Sequence, residues 1–149
     1  MALSGILDLL DNVTPEARAL FTQLEALDKL KVDVGFLEGS GEMAAIAAYN
    51  ELGTSTIPPR PFMSQTVSSH GDEISKAIAD GCSVVMEGGS AAEALDQIGS
   101  KVKGLIQNEM ASGNFTPNAP ETIKKKGSST PLIDTGRMMQ SVEYAVRRG

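Results

Sequence analysis

With 149 residues, 41% of them hydrophobic and 21% charged, the chain is large and apolar enough for one folded domain and too apolar to be disordered. A single cysteine, Cys82, excludes an internal disulfide and a cysteine-built zinc cluster. The net charge of −6 argues against a general nucleic-acid binder, and no apolar run approaches the ~20 residues that a spanning helix needs.

Aromatic residues make up 4% and tryptophan is absent, so the core must come from Leu, Ile, Val, Met and Ala, which suits helix packing better than a β-sandwich. The opening Met1-Ala2-Leu3-Ser4-Gly5-Ile6 lacks the basic region of a signal peptide. Neither export nor membrane insertion is expected, and a reducing cytoplasm suits the lone thiol. The charge is unevenly spread. Residues 1–119 hold 7 basic and 16 acidic side chains, a net −9, whereas residues 120–149 hold 6 basic and 3 acidic ones, a net +3. Opposite poles on one small protein favour head-to-tail contact between copies, although chance and a solubilising surface account for the same charges.

Leu3, Ile6, Leu7 and Leu10 fall on one helical face. Thr14-Pro15-Glu16 then reads as an N-cap, a proline at the first helical position and a first-turn acid, followed by the stripe Ala17, Leu20, Phe21, Leu24 and Leu27. The period changes at Val32, Val34 and Phe36, which alternate with Asp33 and Gly35 as a strand that Gly39-Ser40-Gly41 closes. A helix resumes at Glu42 with Ala45, Ile46, Tyr49 and Leu52 expected to face inward and Gly53 as its stop. Pro58, Pro59 and Pro61 fix φ and remove three N–H donors, so Thr54–Phe62 is neither a helix interior nor a central strand.

A long helical pattern follows, with Val67, Ile74, Ile78, Cys82 and Val85 on one face and Gly88-Gly89 at its end. Ser90-Ala91-Ala92-Glu93 is a capping box opening a helix striped by Leu95, Ile98, Val102, Leu105 and Ile106, with Gly113 as its stop. These two helices should be antiparallel neighbours. Beyond a loop at 114–120, Pro120–Lys126 fits a short helix and Gly127–Pro131 a hinge of small polar residues. Asp134 can cap a helical turn through Arg137 and Met138, and Val142, Tyr144 and Val146 alternate as a final strand. The chain thus reads as one domain: N-terminal helices over 1–30, an α+β body over 31–113 and a C-terminal arm over 114–149.

Catalytic and cofactor chemistry find no footing. His70, the only histidine, lies on the apolar face between Val67 and Ile74 without an evident carboxylate partner, and reads as a helix-packing residue. Ser69-His70-Gly71-Asp72 holds the letters of a triad, but neighbours in sequence cannot converge on one another's reactive atoms. Cys82 reads as buried filler. Gly39-Ser40-Gly41 lacks the remaining residues of a dinucleotide or phosphate loop and is flanked by Glu38 and Glu42. Lys124-Lys125-Lys126 reads as a solvated or partner-facing helix end, with no specific nucleic acid expected. The expectation is a non-enzyme without metal or cofactor.

Three stretches in order carry a family pattern: Val32-Asp33-Val34-Gly35-Phe36; then Ala47 to Thr54 running into Ile57-Pro58-Pro59-Arg60-Pro61-Phe62-Met63; then Thr122 to Gly127, Pro131 to Met138 and Ser141 to Tyr144. Together they resemble the phage tail-completion, or virion-morphogenesis, proteins, the minor tail and neck family that includes the lambda Z-type protein. The resemblance covers roughly residues 30–146 and leaves the N-terminal helices outside.

It implies an α+β fold, with a small antiparallel sheet packed on long helices. It also implies a virion protein at the neck or upper tail, assembled in the host cytoplasm as a ring of identical copies, six-fold in expectation. The ring would join a tail terminator or tail tube protein to a head-side connector or adaptor, with no membrane involved. A soluble assembly factor that leaves the finished particle is the alternative, and an antitoxin-like or adaptor binding module a third. Pro58, Pro59, Arg60, Pro61 and Phe62, together with Lys124, Lys125, Lys126, Leu132, Ile133 and Arg137, are the candidate interface residues. A proline-braced segment loses little entropy on docking, yet the same prolines could simply turn a corner in the fold. The final strand could likewise pack on an adjacent copy or complete the chain's own sheet beside Val32–Phe36.

Overall fold

The computed structural model describes residues 13–112, 115 and 136–149. The apolar stripe Leu3–Leu10, the expected stop at Gly113, the short helix ending at Lys126, the 127–131 hinge and the Asp134 cap lie outside the described residues, as do Lys124, Lys125, Lys126, Leu132 and Ile133.

Helix α1 spans Pro15–Lys29 and starts as its sequence dictates, with Thr14 Oγ1 accepting from the Ala17 amide at 3.2 Å and proline in its first turn. It runs directly into strand β1, Leu30–Gly35. Helix α2 covers Glu42–Leu52, and Gly53, at φ 76°, ends it by donating its N–H to Tyr49 O. Two helices follow where one continuous pattern was expected, α3 over Phe62–Ser69 and α4 over Gly71–Met86, broken at His70. Helix α5, Ala91–Ala111, opens on the complete capping box of Ser90 and Glu93. The short helix α6, Arg137–Gln140, leads into strand β2, Glu143–Arg148.

The fold is α+β. β1 and β2 pair antiparallel from Leu30 opposite Arg148 to Gly35 opposite Glu143, so the final strand completes the chain's own sheet. A two-stranded ribbon is marginal alone and needs a helix behind it. That helix is α5, which touches both strands as well as α1, α3, α4 and α6. The close approach is possible because Gly99 faces the ribbon: a Cβ there would lie 2.5 Å from Tyr144 Cδ2 and 2.8 Å from Val32 Cγ2. Tyr144 is tied across the contact by its hydroxyl, 2.8 Å from Asp96 Oδ1.

The core joins α2, α3, α5 and the C-terminal segment through Met43, Ala47, Phe62, Ile106, Met110, Met138 and Val142. Phe62 is fully buried and meets Phe36 edge-on at 6.0 Å between ring centroids.

Helices α4 and α5 form an antiparallel pair, but the inward face of α4 differs from the expected one. Ala77, Gly81 and Val85 are buried, while Ile78 and Cys82, like Val67 on α3, are exposed. Small residues decide it. Ile98 sits so close over Gly81 that an added Cβ would be 2.7 Å from its Cδ1, and Ala91 and Ala94 supply the facing seam. Backbones that approach this closely turn the bulkier side chains onto the flank. Cys82 is therefore surface rather than core filler.

Candidate interaction surface

Helix α2 is apolar nearly all round, with only Glu42, Asn50 and Glu51 polar in its eleven residues. Its buried side is Met43 and Ala47, so the expectation that Ala45, Ile46, Tyr49 and Leu52 face inward is overturned. Ala45 and Ala48 are exposed, and Ile46, Tyr49 and Leu52 retain 37%, 52% and 78% of their accessible surface. The small Ala47 and flexible Met43 allow Phe62 and Met110 to close over that side, which leaves the larger side chains outside. A helix that is apolar all round is normally buried all round. Here one face is exposed.

The proline segment is folded back against the end of this helix. The Arg60 amide donates to Asn50 O at 2.5 Å, Thr54 N–H to Ile57 O at 2.8 Å, and a Cβ on Gly53 would touch Pro59 Cδ and N at 3.0 Å. Glu51 caps the start of α3, accepting from the amides of Met63 at 2.9 Å and Ser64 at 3.1 Å. The five candidate residues consequently separate. Pro58, Pro59 and Pro61 are exposed, beside Leu52 at the helix end, whereas Arg60 and Phe62 turn into the chain's own interior. Arg60 Nη1 reaches Asn50 Oδ1 at 3.4 Å, and burial lowers the guanidinium from its ordinary pKa. Arg137 is exposed and pairs with Glu42 at 3.2 Å, at the opposite end of α2. The surface is therefore an uncharged helix face and a rigid proline rim, with an ion pair at one margin.

A second exposed apolar strip lies on α4, where Ile78, Cys82 and Met86 recur every fourth residue. Met86 also borders a cavity of about 610 Å³ between α1 and the α4–α5 corner, lined by Ala17, Leu20, Gln23 and Val85 among others. The α1 stripe Ala17, Leu20, Phe21, Leu24 and Leu27 is only half-buried, and no residue of that helix is fully covered.

The histidine has two carboxylate partners, Glu73 three residues further on and Glu109 brought in by the fold, where the sequence reading expects none. His70 Nδ1 lies 2.8 Å from Glu73 Oε1 and Nε2 lies 2.9 Å from Glu109 Oε2, on α5. Glu109 is buried and also accepts from the Gln65 side-chain amide. The signal was a polar residue on each apolar stripe: Glu109 continues the Ile98, Val102, Leu105 repeat just as His70 continues that of Val67. The two carboxylates approach opposite nitrogens, and among the described residues no three acidic, histidine or cysteine side chains are placed to hold a metal ion. No helix of the described residues is long and apolar enough to cross a membrane. Compared with protein-family models, with curated proteins and with solved structures, the chain matches none.

Proposed function

We propose that the chain is a structural protein of a tailed phage particle, a tail-completion or head–tail neck component that works as a ring of identical copies joining tail to head-side connector. The observation that carries this reading is the open face of α2, where Ile46, Tyr49 and Leu52 stand exposed beside the rigid rim of Pro58, Pro59 and Pro61. Large apolar side chains gathered on one helix face mark an interaction surface. The proline rim adds contact area without much loss of chain entropy on docking.

A ring built head to tail requires two different faces on each copy. The α2–proline face and the α4 strip of Ile78, Cys82 and Met86 supply two. The family pattern runs through the same region: Val32–Gly35 lies in β1, Ala47–Leu52 in α2, and Pro58–Pro61 in the rim.

The test is the oligomeric state of the purified chain, read by light scattering on a sizing column, for wild type and for the Leu52→Arg and Tyr49→Arg variants. Wild type should assemble, and each variant should stay folded by circular dichroism yet shift to the monomer. A wild type that is monomeric at all concentrations, or variants that assemble normally, would refute the reading.

A further inference from the structure

His70 stands at a junction. Its N–H donates to Thr66 O, closing α3, and its carbonyl accepts from Ile74 N–H, opening α4, each at 2.9 Å. Its ring reaches Glu73 on α4 through Nδ1 at 2.8 Å and Glu109 on α5 through Nε2 at 2.9 Å. An ionised carboxylate only accepts hydrogen bonds, and a neutral imidazole carries only one N–H. In the neutral form one ring nitrogen would therefore point its lone pair at a carboxylate oxygen less than 3 Å away. With both carboxylates ionised, only the imidazolium satisfies both contacts.

We propose that His70 is a proton-operated latch: as imidazolium it bonds Glu73 and Glu109 together and holds the α3–α4 junction on α5, and on losing its proton it releases one of them. Among the described residues, the charged groups around the ring are Glu73 from α4, Glu109 from α5, and Lys101 from α5, whose Nζ is 3.7 Å from the other oxygen of Glu73. From α3 comes only the neutral amide of Gln65, bonded to Glu109. Two acids against one more distant lysine favour the protonated ring.

The same arrangement raises the His70 pKa above its ordinary value, first through the bond to Glu73 and then through that to Glu109. It lowers that of Glu73, chiefly through the His70 bond. A histidine whose folded pKa exceeds its unfolded value of about 6.5 gives stability that is complete below that pH and is lost as pH rises through the folded pKa. The latch is closed in mild acid and opens on the alkaline side.

Because His70 is the only histidine in the sequence, one imidazole titration by NMR reads it directly. The expected result is a single transition above about 6.5, moved downward in the Glu73→Gln and Glu109→Gln variants. Hydrogen exchange of the amides at 66–74, corrected for intrinsic rates, should show protection at pH 6 that falls by pH 9. In His70→Gln that pH dependence should disappear. A wild-type imidazole titrating at or below about 6.5 overturns the latch. So does a His70→Gln variant that keeps the wild-type pH dependence of exchange.

Discussion

Replacing Gly99 by alanine sets a methyl group into the strand pair behind α5, and Gly104, five residues further along the same helix, supplies the control. Glycine in a helix interior costs about 1 kcal/mol relative to alanine, so on propensity alone both substitutions stabilise. At Gly104 no described residue beyond the helix's own backbone and its chain neighbours lies within 4 Å of the new Cβ, and the gain of up to about 1 kcal/mol should be realised. At Gly99 the new carbon would be 2.5 and 2.8 Å from two ring carbons of Tyr144 and 2.8 Å from Val32 Cγ2. Neither neighbour yields easily: Val32 pairs with Val146 in the ribbon, and the Tyr144 ring is held by strand pairing and by Asp96. Overpacking costs about 1–3 kcal/mol, and tethered neighbours place this case in the upper half of that range. Gly99→Ala should therefore lose about 1–2 kcal/mol net and lie about 2–3 kcal/mol below Gly104→Ala. For a chain of this length the two melting temperatures should differ by roughly 5–10 °C. Thermal and urea unfolding followed by circular dichroism measure it. A Gly99→Ala protein as stable as Gly104→Ala would show that α5 does not rest on the ribbon through this glycine.

Phe62→Ala should cost about 3–5 kcal/mol in urea unfolding, because Phe62 is fully buried against Phe36 and the C-terminal core. Ser90→Ala removes one half of the capping box and should cost about 1 kcal/mol by the same assay, unfolding from the start of α5. Asp33 is bonded to Arg147 across the ribbon, which holds its carboxyl below the usual range. A depressed carboxyl gives stability that is present above its unfolded pKa and lost as pH falls through the folded one. Asp33→Asn should thus flatten the acid side of the stability profile, while an unchanged profile would show the pair contributes nothing. Removing residues 142–149 takes away buried Val142 and one strand of the ribbon, so that chain should fail to give a cooperative unfolding transition.

What the sequence carried plainly was local. The Thr14 cap, the Ser90–Glu93 box, the strand through Val32 and Val34 and the Gly53 stop each act within a few residues, and the structure has each in place. Small residues misled the longer-range reading. On α4 the seam is Ala77 and Gly81, which a search for large apolar side chains passes over in favour of Ile78 and Cys82. On α2 the apolar residues surround the helix, so periodicity could not tell Met43 and Ala47 from Ile46 and Leu52. The His70–Glu109 contact joins residues 39 apart, and only the fold brings them together. Among the expected interface residues, Phe62 and Arg60 turn inward because alternate positions around Pro61 point opposite ways, a geometry that composition does not reveal.

On the proposed function, this chain is a ring-forming part of a finished particle, joined through the α2–proline face. The decisive assay is quantitative mass spectrometry of purified particles assembled with the wild-type chain, and with Leu52→Arg in its place. The account predicts a fixed small number of wild-type copies per particle, and a Leu52→Arg chain that folds but is missing from particles that lack joined tails. Intact particles without the wild-type chain, or normal incorporation of Leu52→Arg, would contradict it.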